Sequence, residues 1–269
     1  MQQRLIRCLA ALVLPCLAVL GCSTPFWAAR GSMAQRPAIT RGQLLIHCER
    51  TVPDDQPLLD ELVARRDDVL DDLALPISDE PIHVYLFENH DSFRRFMRAN
   101  FPSFPERRAF FVSTDARLSV YAHLNDRMAE DLRHEVVHGY LHATVPNIPL
   151  WIDEGLAEFY EVPRSDDGMN LPHLELLLRS INSGWRPNLA RLESLTSAAE
   201  MEQLDYAESW AWTHFLLRSA PTRKDTLRYY LQDLRRDGNT TPLSVRLREL
   251  EHGAPEPVLV NHLRRLAYP

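Results

Sequence analysis

The sequence predicts an α+β fold, with a small sheet in its first half and helices in its second. Two observations carry this reading. Between residues 43 and 123, short β-branched and aromatic runs bounded by turn residues alternate with two helical stripes; from Asp126 the apolar spacing is helical almost to the C-terminus. Strands first and helices later imply a sheet packed on helices. With 269 residues, 45% hydrophobic and 25% charged, the chain can bury a sizeable core.

The first residues differ in kind. Arg4 and Arg7 precede an apolar run from Leu9 to Leu20 that is too short to span a bilayer comfortably as a permanent helix, so residues 1–21 read as a secretory signal. The signal ends in Val19-Leu20-Gly21-Cys22, which resembles the bacterial lipobox. That resemblance implies lipidation of Cys22, export, and attachment to a membrane through the N-terminal lipid, where several acyl chains hold far better than one. Ser23 stands where an aspartate would signal inner-membrane retention, which favours the outer membrane with the protein facing the periplasm. A plain signal peptide with a chance cysteine is the alternative. Cys8 and Cys16 fall in the signal, which leaves Cys48 as a lone thiol and rules out an internal disulfide framework. Losing Arg4 and Arg7 moves the formal charge from −7 to about −9, which argues against nucleic acid as a partner.

Residues 22–42, with Pro25, Gly31, Pro37 and Gly42 and no sustained period, read as a lipidated tether, and 43–269 as one domain with a sheet part (43–125) and a helical part (126–269). Gln43 to Glu49 has the look of a strand, with Cys48 as a buried, inert thiol. Leu59, Leu62, Val63, Val69, Leu70 and Leu73 form a helical stripe that Pro76 stops, and the charges from Arg65 to Asp72 read as its solvated face. "IHVYLF" (82–87) is the strongest strand, with His83 as a paired strand histidine; a short helix capped by Asp91 or Ser92 follows, then strands at 109–113 and 118–122. Helices are expected at 129–143, 150–161, 171–183, 207–219, 223–237, 242–251 and 256–266, with a weaker signal near 189–203. Gly184 and Gly238 suit helix ends, and Trp151, Trp210 and Trp212 are core by default.

The chemistry lies in "HEVVHGYLH" (134–142). On a helix the four-residue step from His134 to His138 turns about 40° and rises one turn, so both imidazoles reach one ion. Glu135 projects at another angle, free to act on water. Two protein ligands fix a zinc ion poorly, so a third is needed. Glu154, in "PLWIDEGLAEFYE", is the candidate, because a second helix there can fold back beside the first. Glu158 lies four residues on, on the same face, where it can orient a histidine from behind. His142 extends the histidine row but drifts off the ion, so it reads as supporting or surface.

"HEVVH" followed by "WIDEGLAEFYE" resembles the gluzincin metallopeptidases of the peptidase MA clan, whose second helix carries a glutamate ligand in a W-x-x-E-G-x-A-E type motif. "YAESWAWTHFLL", "TLRYYLQDLRRDG" and "IHVYLFENHDSFRRF" look like the flanking parts of a bacterial lipoprotein domain family of unknown function in that clan, so the likeness covers about residues 43–238. The resemblance implies a zincin-like fold, Zn2+ held by His134, His138 and Glu154, and Glu135 as general base in hydrolysis of a peptide or protein. It also implies an oxyanion-stabilising tyrosine, for which Tyr206 is the choice and Tyr160, Tyr229 and Tyr230 are alternatives. The competing readings are a non-catalytic envelope lipoprotein that keeps the metal for structure, and a histidine-rich helix with no metal, which leaves Glu154 unexplained.

Overall fold

A computed structural model of the protein describes residues 38–49 and 57–267. Strands β1 (Ile39–Arg41), β2 (Leu44–Cys48), β3 (Ile82–Phe87), β4 (Ala109–Thr114) and β5 (Arg117–His123) form one mixed sheet in the order β1-β2-β3-β5-β4. The three central strands run parallel, whereas β1 and β4 are antiparallel to their neighbours at the two edges. Together with ten α-helices among the described residues, this is the α+β fold expected.

The period-2 pattern sorts the sheet's side chains onto two faces. Leu44, Ile46, Ile82, Val84, Leu118 and Val120 pack against Leu59 and Leu62 of α1 (Pro57–Leu73) and Leu132, Val136 and Tyr140 of α3 (Met128–His142). Tyr85, Phe87, Phe110 and Tyr121 face the other way, onto Phe93 and Met97 of α2 (His90–Asn100). The cap of α2 is Asn89, whose side chain accepts from the Ser92 N–H, and not Asp91 or Ser92. His83 is paired as expected, with its Nδ1 3.1 Å from His47 Nε2. Cys48 is half-buried, and burial pushes its thiol up, so it is a poor nucleophile.

Two expectations need correction. Ile39 to Arg41, assigned to the tether, pair with Leu44 to Ile46 through a two-residue turn in which Gly42 takes φ +54°. A three-residue strand is too short to show an alternating pattern. The signal, Cys22 and residues 22–37 lie outside the described residues. The stretch from Arg65 to Asp72 is not a wholly solvated face. Arg65 is 5% exposed and donates to the Val162 carbonyl at 2.8 Å. Asp72 accepts from Tyr160, Arg218 and Lys224 at 2.9, 3.0 and 2.6 Å. Burial would raise the Asp72 carboxyl, but Lys224 and Arg218 outweigh it and hold it below its usual value.

The second core is helical. It gathers α4 (Leu150–Tyr160), α5 (Leu171–Asn182), α6 (Leu189–Glu193), α7 (Gln203–Arg218), α8 (Pro221–Asp237), α9 (Leu243–Leu250) and α10 (Glu256–Ala267) around Trp151, Trp210 and Trp212, which are all fully buried. Truncating any of these tryptophans to alanine should cost about 3–5 kcal/mol. Two glycines set how closely the site helices approach their supports. A Cβ on Gly139 of α3 would meet the Ile82 side chain of β3 at 2.9 Å, and one on Gly155 of α4 would meet Thr213 Oγ1 of α7 at 2.5 Å. Thus α3 is seated on the sheet and α4 on α7, which places the two helices side by side.

Candidate metal centre

Residues 143–149 join α3 to α4, and Asn147 adopts the left-handed conformation at φ +57° that asparagine tolerates well. This reversal brings three atoms together. His134 Nε2 and His138 Nε2 are 3.2 Å apart, and Glu154 Oε2 stands 3.5 Å from the first and 3.8 Å from the second. A point equidistant from all three lies about 2.0 Å from each, the length of a transition-metal bond to nitrogen or oxygen. Glu154 Oε2 is buried and has no hydrogen-bond partner among the described residues, an arrangement a cation would satisfy. His134, His138 and Glu154 are therefore positioned to hold a metal ion, as the sequence spacing required.

The remaining ring nitrogens face carboxylates, the usual way a protein fixes a metal-binding imidazole. His134 Nδ1 is 3.0 Å from Glu161 Oε2, whose other oxygen accepts from Asn170 Nδ2 at 3.0 Å. His138 Nδ1 is 3.0 Å from Asp153 Oδ1, and Asp153 Oδ2 is 2.9 Å from His142 Nε2. His142 thus supports the site through Asp153, and the Phe111 ring of edge strand β4 lies against both His138 and His142. Glu158 is placed differently from expectation. Its Oε2 is 2.7 Å from His173 Nε2, and it is Glu161, the residue that caps the C-terminus of α4, that meets His134. A second triplet, His134, Glu158 and Glu161, could also gather round an ion, but its carboxylates are already engaged by His134, Asn170 and His173.

The electrostatics follow from burial among acids. Burial alone would lower the His138 imidazole, but Asp153 outweighs it and lifts it to about 9; Glu154 and Glu161 likewise hold His134 well above its usual value. Burial would raise Asp153, yet His138 and His142 hold it low. Burial pushes the Glu161 carboxyl up to about 7, against the hydrogen bond from His134. Glu158 goes the opposite way: burial would raise it, but its bond to His173 outweighs this and brings it down to about 2.

An open cleft of about 1160 Å³ reaches the centre, lined by Arg107, His134, Glu135, Glu158, His173 and Tyr206 among others. Burial pushes the Glu135 carboxyl up, against the pull of His134 and His138. Tyr206 stands on the same wall, its hydroxyl accepting from Arg107 Nη2 at 3.0 Å. Burial and the Glu154 charge raise its phenol, with Arg107 opposing. The other tyrosines are elsewhere: Tyr160 donates to Asp72, Tyr229 is 62% exposed, and Tyr230 is buried beneath Arg246.

Sequence reading missed Asp153, Glu161, Asn170, His173 and Arg107. A signal existed for Glu161, since Glu154, Glu158 and Glu161 at i, i+4 and i+7 share one helical face. Asp153 adjoins the ligand and carried no periodic signal of its own. No protein-family model and no curated protein sequence matches this chain.

Proposed function

We propose that the chain is a zinc-dependent peptidase of the gluzincin type, built on a zincin-like fold and held by a lipid on Cys22 at the periplasmic side of a bacterial membrane, the outer one by preference. The observation that carries this reading is the convergence of His134, His138 and Glu154 on one point, with Glu135 next to His134 in the lining of an open cleft.

Two imidazoles and one carboxylate suit zinc better than a hard cation, and three protein ligands leave a position for water or substrate. Bound there, zinc supplies Lewis acidity and a water that loses its proton near neutral pH. Glu135 takes the proton from the attacking water and delivers it to the departing amine nitrogen. Tyr206 donates a hydrogen bond from its hydroxyl to the carbonyl oxygen as negative charge develops, while its oxygen accepts from Arg107. Glu161 and Asp153 keep the imidazoles aimed. An extended peptide suits the cleft, because β4 pairs with β5 on one side and with no described strand on the other, so its free edge can take an added strand.

Glu135→Gln tests the assignment. The variant should keep about one zinc per chain and lose about 10²–10⁴-fold in hydrolysis of a peptide library. Hydrolysis at the wild-type rate would remove Glu135 as the base. Zinc binding by both proteins with cleavage by neither would instead make this a non-catalytic, metal-stabilised envelope protein.

A further inference from the structure

Among the described residues four arginines line the cleft, and three are spent on acids. Arg108 lies 2.7 Å from Asp131, Arg133 lies 2.8 Å from Glu61, and Arg127 pairs with Glu130. Arg107 differs. It has no carboxylate at ion-pairing distance among the described residues, and its hydrogen bond goes to the neutral hydroxyl of Tyr206. That bond uses one N–H of a planar group that has five, so most of the guanidinium fork stays open to the cleft.

The position matters as much as the vacancy of the fork. Arg107 sits in the segment leading into edge strand β4, and its charge acts on both Glu154 and Glu135. A guanidinium fork pairs best with a planar, two-oxygen anion.

We infer that Arg107 is the substrate-recognition residue of this cleft and that it takes a carboxylate of the bound peptide. Two sources share that chemistry, the C-terminal carboxylate of a short peptide and an Asp or Glu side chain near the scissile bond. The inference rests on the peptidase reading for its substrate class.

The test uses peptides in matched pairs. One set differs only in a free C-terminal carboxylate against an amide, the other only in Glu against Gln beside the cleaved bond. Zinc-loaded wild type, Arg107→Ala and Arg107→Lys are compared, with zinc content and melting temperature checking that each variant is folded and loaded. Calorimetry with Glu135→Gln and with Glu135→Gln/Arg107→Ala measures binding of the same pairs without cleavage. The wild type should favour the acidic member of one set by about 10- to 100-fold in kcat/KM, the worth of a charge-assisted hydrogen bond. Arg107→Ala should bring that ratio close to one, Arg107→Lys should keep an intermediate ratio, and calorimetry should show the same preference and its loss. The set that shows the effect identifies the source of the carboxylate. An equal rate on both members in wild type, a ratio unchanged in Arg107→Ala, or a fall in kcat equal for acid and neutral members would overturn the inference. The last result would make Arg107 a positioning residue for Tyr206. If wild type cleaves no peptide, the peptidase reading fails separately, and calorimetry alone decides: acid-selective binding lost on removing Arg107 sustains the inference, and its absence ends it.

Discussion

The Ser209 carbonyl oxygen of α7 lies 2.5 Å from where a Cβ on Gly155 of α4 would stand. Gly155 follows the metal-facing Glu154 directly, so the seat of α4 on α7 also sets the reach of that carboxylate. Gly155→Ala should push the helices apart, lowering stability by about 1–3 kcal/mol and weakening metal binding. Thermal melts and metal analysis would check this, and a variant with full stability and a full equivalent of zinc would show that the contact does not place Glu154.

Glu161 touches His134 and Glu158 touches His173. Glu161→Gln should therefore lower zinc affinity about 10- to 100-fold, with Glu158→Gln costing less. Competition against a chelator measures both, and the reverse order would restore Glu158 to the role its spacing first suggested.

Tyr206→Phe removes the cleft hydroxyl while keeping the ring. We expect kcat on a cleaved peptide to fall about 10²–10³-fold with little change in KM, the mark of a donor used mainly in the transition state. Tyr160→Phe should instead lower stability, because its hydroxyl is bonded to Asp72 away from the cleft. Equal kcat losses in the two variants would point to a structural effect.

The pair His214 and His262, 3.0 Å apart in the helical core, gives the fold an acid sensitivity of its own. Burial holds them down at about 3 and about 4, with neighbouring positive charge adding to it, against 6.5 when unfolded. The unfolded chain then binds more protons than the folded one from about pH 6.5 down to about 4 for His262 and about 3 for His214, so stability is full above that window and declines as pH falls through it. The slope reaches at most about 1.4 kcal/mol per pH unit for each histidine. Denaturant melts at pH 7 and pH 5 should show the loss, and replacing His214 with Phe and His262 with Leu should flatten it. An unchanged slope would place the acid sensitivity elsewhere.

Much of this molecule is written in local periodicity. The β-branched run at 82–87, the apolar stripes of the helices, and the one-turn step from His134 to His138 follow from 2.0- and 3.6-residue repeats that any short segment carries within itself. Glu154 was legible too, because a third ligand was chemically required and one acidic, amphipathic helix stood at the right remove. Other features depend on how separate segments pack. Glu161 rather than Glu158 meets His134, Asp153 links His138 to His142, Arg65 is buried against Val162, and Arg107 reaches Tyr206 across 99 positions of chain. A repeat specifies which face a side chain leaves by; the partner it meets there is set by helix seating, such as that of Gly155 on Ser209, and by the rotamer left open once the neighbours are in place.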